Sequence, residues 1–167
     1  MSAPANIQAA TIDKYVAGWK KMSPQEMLAT WSGNATQQGL PFTMSQPPKT
    51  RAQVEASLPK LSEILLNFKV TVTIYHGYIR HFNLTHPKLT IHNVVHDPSK
   101  GKAVIYAVSQ ADTPFGVPWR NEYASFLTFD ESGEKIVKLE EMVDSAFVKA
   151  FLPPFQKYMS EQASQSG

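Results

Sequence analysis

At Phe68 the hydrophobic period of the chain changes from about 3.6 residues to about 2, and β-branched residues take over from Leu and Ala. Everything before that point patterns as helix, apart from one short extended stretch. After it, up to Asp144, the chain patterns as strands separated by turns, apart from the irregular segment His76–Lys88. Helices gathered ahead of a run of strands cannot form alternating βαβ units, so the chain is expected to be α+β with a largely antiparallel sheet. At 167 residues it fits one domain with a real core and one pocket.

The helical part divides into three. Ile12, Tyr15, Val16 and Trp19 make an apolar stripe over Ala9–Met22. Ser23-Pro24-Gln25-Glu26 then combines an N-cap Ser, a Pro at the first helical position and a Glu able to close a capping box, starting a short helix that reaches Trp31. After the turn signal Ser32-Gly33-Asn34, Ala35–Phe42 is expected to be extended. The third helix runs from Thr50 to about Asn67 with Val54, Leu58, Leu61 and Leu65 on one face, and Pro59 predicts a kink or break in it. The expected strands are the alternating Val70, Val72 and Ile74, then Leu89–His96, Ala103–Ala111, Trp119–Phe129 and Ile136–Val143. Turn residues at 97–101 and 130–134 predict sequential hairpins. Asp144 or Ser145 caps a last helix that Pro153-Pro154 should stop. The domain is thus expected to cover residues 1–160, with 161–167 a disordered tail. The irregular segment His76–Lys88 is a candidate lid.

Several functional classes are disfavoured. Sixteen Lys and Arg against 14 Asp and Glu, with no basic run, argue against a nucleic-acid partner. Cysteine is absent, which removes disulfides, thiolate nucleophiles and iron–sulfur clusters. The five histidines, His76, His81, His86, His92 and His96, show no metal-binding spacing, so no metal is expected. No phosphate-cradling glycine motif or nucleophile elbow occurs. The first residues, Met1-Ser2-Ala3-Pro4-Ala5-Asn6, do not pattern as a secretory signal, and no apolar run approaches the ~20 residues of a membrane span. A cytoplasmic protein with no membrane partner is the expectation.

The last strand carries the sharpest chemical signal. A period of two puts Val137, Leu139, Glu141 and Val143 on one face and Lys138 and Glu140 on the other, so one carboxylate stands in an apolar row. Desolvation there raises its pKa and suits it to acid–base work at neutral pH. On the preceding strand Trp119, Asn121, Tyr123, Ser125, Leu127 and Phe129 share a face, offering an amide, a phenol and a hydroxyl to orient a carbonyl or enol, with Trp119 as a wall. The candidate catalytic residues are Glu141, Tyr123 and His92. The candidate substrate-binding residues are Asn121, Trp119, Ser125, His76 and Phe115. Trp19, Trp31 and the Phe147/Phe151 stripe pattern as core or dimer contacts.

Asn121-Glu122-Tyr123, Phe126-Leu127-Thr128-Phe129-Asp130, Gly133-Glu134-Lys135-Ile136, Glu140-Glu141-Met142-Val143-Asp144-Ser145 and the hairpin Asp112-Thr113-Pro114-Phe115-Gly116 together resemble the SnoaL-like branch of the NTF2-like proteins, particularly those of fungal natural-product pathways. The resemblance covers most of the chain. It implies a cone in which a curved antiparallel sheet and three N-terminal helices enclose a pocket, an acid–base site with a carboxylate on the last strand where Glu141 stands, no cofactor, and a homodimer paired through the sheet. It specifies the fold far better than the reaction. The resulting expectation is a cofactor-independent isomerase or cyclase acting on a hydrophobic polycyclic intermediate derived from a polyketide or terpenoid. The alternatives are a dehydratase, a hydrolase, or a non-catalytic binding or dimerisation module. The Arg-x-Asp pair of limonene-epoxide-hydrolase-like members is missing from the strand Ala103–Ala111, which weakens ring opening by that route.

Overall fold

A computed structural model describes residues 3–69 and 89–165. Helix α1 (Ala5–Lys20) buries Gln8, Thr11, Ile12, Tyr15, Gly18 and Trp19, the single face its spacing predicts. Its two halves do different work. Near the N-terminus the buried polar groups grip the ends of two strand connections: Gln8 Nε2 donates to the Pro98 carbonyl at 3.2 Å, and Thr11 Oγ1 donates to that of Gly133 at 2.8 Å. Near the C-terminus Tyr15 and Trp19 face the interior. Helix α2 (Pro24–Ala29) starts at Ser23, whose hydroxyl accepts from the Glu26 amide. It crosses α1 at Gly18, where an added Cβ would lie 2.7 Å from the Met27 nitrogen.

Strand β1 (Trp31–Leu40) already includes Ser32-Gly33-Asn34, which the sequence assigns to a turn; the stretch is absorbed as an irregularity between Trp31 and Thr36. Strand β2 (Lys49–Thr50) leads into helix α3 (Arg51–Ile64), capped by the reciprocal Thr50–Gln53 box. That helix runs unbroken through Pro59. The carbonyl that Pro59 leaves without its helical donor is that of Glu55, and both residues are exposed, which keeps the cost of the lost bond low.

Strands β3 (Leu66–Lys69), β4 (Leu89–Asp97), β5 (Lys102–Asp112), β6 (Trp119–Phe129) and β7 (Ile136–Val143) complete the sheet. The order is β2-β1-β7-β6-β5-β3, and β4 pairs with β5 as well. The expected hairpins β4–β5, β5–β6 and β6–β7 are all antiparallel. What sequential pairing does not anticipate is β1, which lies parallel to β7 and sets Gln37 beside Leu139 and Gly39 beside Glu141. The expected strand Val70–Ile74, His76 and the candidate lid His76–Lys88 lie outside the described residues.

The inner face of the sheet carries Ile105, Leu127, Ile136 and Leu139, all fully buried, against α1, α2 and α3. Helix α4 (Ser145–Gln165) begins where Asp144 Oδ1 accepts from the amides of Ala146 and Phe147. It carries on through Pro153-Pro154 and into residues 161–165, where the sequence predicts a stop and a disordered tail. The two prolines free the carbonyls of Lys149 and Ala150, which face solvent. Meanwhile Phe147, Phe151 and Phe155 on the opposite face bind the helix to Trp119 and Phe115. Aromatic packing outweighs the missing helical hydrogen bonds. Among the described residues no helix is long and apolar enough to cross a membrane.

A Gly→Ala change inside a helix ordinarily stabilises it. Gly18→Ala should do the reverse, because its methyl would collide with the α2 backbone, and urea unfolding should register a loss of about 1–3 kcal/mol. Equal or greater stability would mean that the α1–α2 crossing is not set by this contact.

Candidate active site

Between the inner face of the sheet and the helices lies a cavity of about 380 Å³, lined by Tyr15 and Trp19 from α1, Trp31 and Gln37 from β1, Leu58 and Leu61 from α3, Trp119 and Tyr123 from β6, and Leu139 and Glu141 from β7. A neighbouring lobe of about 270 Å³ shares Gln37, Trp119, Tyr123 and Glu141 and adds Asn121, Gly39 and Val143. The lining is mostly apolar, and Gln37, Tyr123 and Glu141 converge on it from three adjacent strands.

Strand alternation sorts two consecutive carboxylates. Glu140 turns outward and pairs with Lys138 at 2.9 Å, whereas Glu141 turns inward to the cavity. Gln37 Nε2 donates to Glu141 Oε2 at 2.6 Å, and the hydroxyl of Ser125, directly across the strand pair, donates to Oε1 at 3.3 Å. Among the described residues no arginine, lysine or histidine makes an ion pair with it. Burial pushes the Glu141 carboxyl above the usual carboxylate range, opposed by the hydrogen bonds from Gln37 and Ser125 and by the charge of Lys49.

Tyr123 is oriented by a chain of donors. Trp119 Nε1 donates to Ser109 Oγ at 2.8 Å, and Ser109 Oγ donates to the Tyr123 hydroxyl at 3.0 Å, which leaves the phenolic hydrogen free for an acceptor in the cavity. Trp19 meets the Tyr123 ring edge-on at 5.4 Å. Burial, above all, raises the pKa of this phenol far past neutrality, with the charge of Glu141 adding to the shift and the neighbouring hydrogen bonds opposing it. Tyr123 is therefore a donor and not a base at physiological pH.

The other sequence candidates fall into place less uniformly. Trp119 forms the expected wall. Asn121 reaches the second lobe, but its carbonyl oxygen is spent on the amides of Glu122 and Asp144, so it ties β6 to the start of α4. Ser125 donates to the Glu141 carboxylate and does not line the cavity. Phe115 is not part of the cavity wall either. Its ring packs on Phe151, Phe155 and Tyr158, and it is Phe155 that reaches the cavity.

His92 does not reach the cavity. The β4–β5 register slips between Ile91 and Asn93, so His92 is the extra residue of a bulge, exposed, with its ring 5.1 Å from Tyr106 on the outer face. Tyr106 in turn donates to the Glu122 carboxylate on that same face. His96 bonds Gln8 Oε1 through Nε2 at 2.9 Å. Among the described residues no three His, Asp or Glu side chains gather as a metal site would require.

Sequence reasoning misses Gln37, Ser109 and Tyr15. The first two carry no periodic signal, because their importance comes from pairing with β7 and β6. Tyr15 reads as core and is fully buried, yet its hydroxyl finds no hydrogen-bond partner among the described residues, and neither does Trp31 Nε1. Both residues line the cavity, and a buried unmade hydrogen bond costs about 1–3 kcal/mol until a ligand or water satisfies it.

With this architecture in view, the molecule has the SnoaL-like, NTF2-like fold. It aligns with the BvnE pinacolase of Penicillium brevicompactum at a TM-score of 0.73 and 17% identity, over 91% of this chain and 92% of that one. An NTF2-like protein of Burkholderia xenovorans LB400 aligns at a TM-score of 0.58 and 10% identity, over 88% and 96%. No protein-family model matches the chain. Closer relatives occur among fungal proteins. The monooxygenase dmxR10 of Cryptosporiopsis sp. strain 8999 is 48% identical over 98% of this chain and 97% of its own, and the monooxygenase AacuP of Aspergillus aculeatus is 45% identical over 97% and 98%. The chain belongs to the family of dmxR10 and AacuP, whose members are named monooxygenases.

Proposed function

We propose that this protein is an enzyme of fungal secondary metabolism that moves a proton on a hydrophobic polycyclic substrate, as an isomerase or cyclase working without a cofactor. The observation that carries the reading is a desolvated carboxylate and a phenol with a free hydrogen on the wall of one largely apolar cavity. Glu141 takes a proton from carbon next to a carbonyl, and Tyr123 donates a hydrogen bond to the oxygen on which negative charge develops. Isomerisation is complete when Glu141 returns the proton to a different carbon. Cyclisation is complete when the enolate carbon attacks a second carbonyl of the same molecule and the new alkoxide takes the proton. A positioned acid or base contributes roughly 10²–10⁴-fold to such a step. An open cavity and an inward-facing acid with no ion pair among the described residues support an enzyme over a purely structural module.

The names of the relatives favour a second reading that shares the first step. A methylene deprotonated by Glu141 can add dioxygen and then expel water to become a carbonyl. One oxygen atom stays on the carbon, the other leaves as water, and the C–H bonds of the substrate supply the electrons. Purified protein incubated with extracts of the cells that make it, under isotopically labelled dioxygen, separates the two: an unlabelled isomeric product supports proton transfer alone, and a labelled carbonyl supports oxygenation. In either case Glu141→Gln should abolish turnover while the fold persists, and Tyr123→Phe should slow it by about 10- to 1000-fold. Full activity in Glu141→Gln would remove the carboxylate from the mechanism.

We infer a homodimer seated on the outer sheet face, where Val95, Tyr106, Phe126 and Met142 are exposed. Light scattering should give twice the monomer mass, and Phe126→Lys should lower it; a monomeric wild type would contradict this part.

A further inference from the structure

The cavity that holds Glu141 also has two lysines in its lining, and they come from different walls. Lys49 belongs to β2 and stands opposite Gln37 in the β1–β2 pairing, next to the residue that donates to Glu141. Lys60 comes from α3. Lys21, Lys100, Lys138 and Lys157 each have a carboxylate within 4 Å; Lys49 and Lys60 have none among the described residues. Both are exposed, which places their charges at the mouth of the cavity, where hydration makes them inexpensive to keep. Against them the lining carries one acid, Glu141, so the charge of the wall is net positive whichever form Glu141 adopts. Low-dielectric walls with charge of one sign at the opening focus the field and favour a ligand of the opposite sign.

We propose that Lys49 and Lys60 form an anion subsite, and that the ligand of this cavity is an amphipathic acid: a fused-ring body carrying a carboxylate or an ionised phenol. The rings lie inward among Trp19, Trp31 and Leu58, and the anionic group sits at the mouth between the two ammonium groups. This inference names the substrate class for the proton-transfer reading and rests on that reading only for the identity of the site. Charges at a rim give orientation and encounter rate more than affinity. Here orientation is what matters, because anchoring the anion outside fixes which ring carbon faces Glu141.

The test uses two probes of the same shape, 2-naphthoate and its neutral counterpart 2-naphthamide, followed by quenching of the tryptophans in the cavity wall. Wild-type protein should bind naphthoate about 3- to 10-fold more tightly than naphthamide, and added salt should shrink the difference. Lys49→Gln with Lys60→Gln should erase the preference and leave naphthamide binding unchanged. Glu141→Gln should keep it, so loss of turnover and loss of anion preference report on different groups. Equal affinities in the wild type, a preference that survives both lysine substitutions, or failure of both probes to bind overturns the proposal. If Glu141→Gln stays fully active while the lysine effect holds, the proton-transfer reading falls and the anion subsite stands.

Discussion

Taking a carboxylate out of water favours its neutral form, and three adjacent strands of this protein are arranged around that fact. Glu141 faces an apolar cavity, held by one donor from β1 and one from β6, with Lys49 acting on it across β1. The parallel docking of β1 on β7 is what brings Gln37 to Oε2; a purely sequential sheet would leave that oxygen without its donor. The arrangement has a cost with a definite sign. Because the folded-state pKa lies above that of the unfolded chain, no penalty exists below about pH 4, where both states are protonated, and stability is lost as pH rises from there through the folded value. A group kept at such expense at neutral pH is expected where activity benefits from it.

The aromatic residues serve the polar ones. Trp119 gives its indole N–H to Ser109, and so aligns Tyr123, only while its ring is held in place. Phe147 and Phe151 hold it from α4, edge-on at 5.3 and 5.0 Å. Helix α4 thereby acts on the cavity through packing, and Phe155 and Met159 reach the wall directly. The continuity of that helix through two prolines follows from the same contacts. Tyr15 and Trp31 add two buried donors on the cavity wall that have no partner among the described residues.

Period-two alternation made the inner face of β6 and β7 legible, and with it Glu141, Tyr123 and Trp119. It also separated Glu140 from Glu141, a distinction that composition cannot make. Alternation fails where the ladder slips, as it does at the β4 bulge that leaves His92 beside Tyr106 on the outer face. It is silent about pairing between strands far apart in sequence, so Gln37, 104 positions from Glu141, carried no signal. Phe115 was misplaced for a different reason: a hairpin aromatic can serve either a cavity or a helix, and the choice depends on α4 continuing past the prolines that the sequence reads as its end.

The central claim is that Glu141 is a desolvated acid poised to exchange a proton. Carbon-13 NMR titration of the glutamate side-chain carboxyls, with the Glu141 resonance assigned by its loss in Glu141→Gln, tests it most directly. The account predicts a midpoint above the roughly 4.3 of an exposed glutamate. A midpoint at or below that value would mean that the hydrogen bonds from Gln37 and Ser125 outweigh burial, leaving Glu141 a fixed structural anion and contradicting the claim.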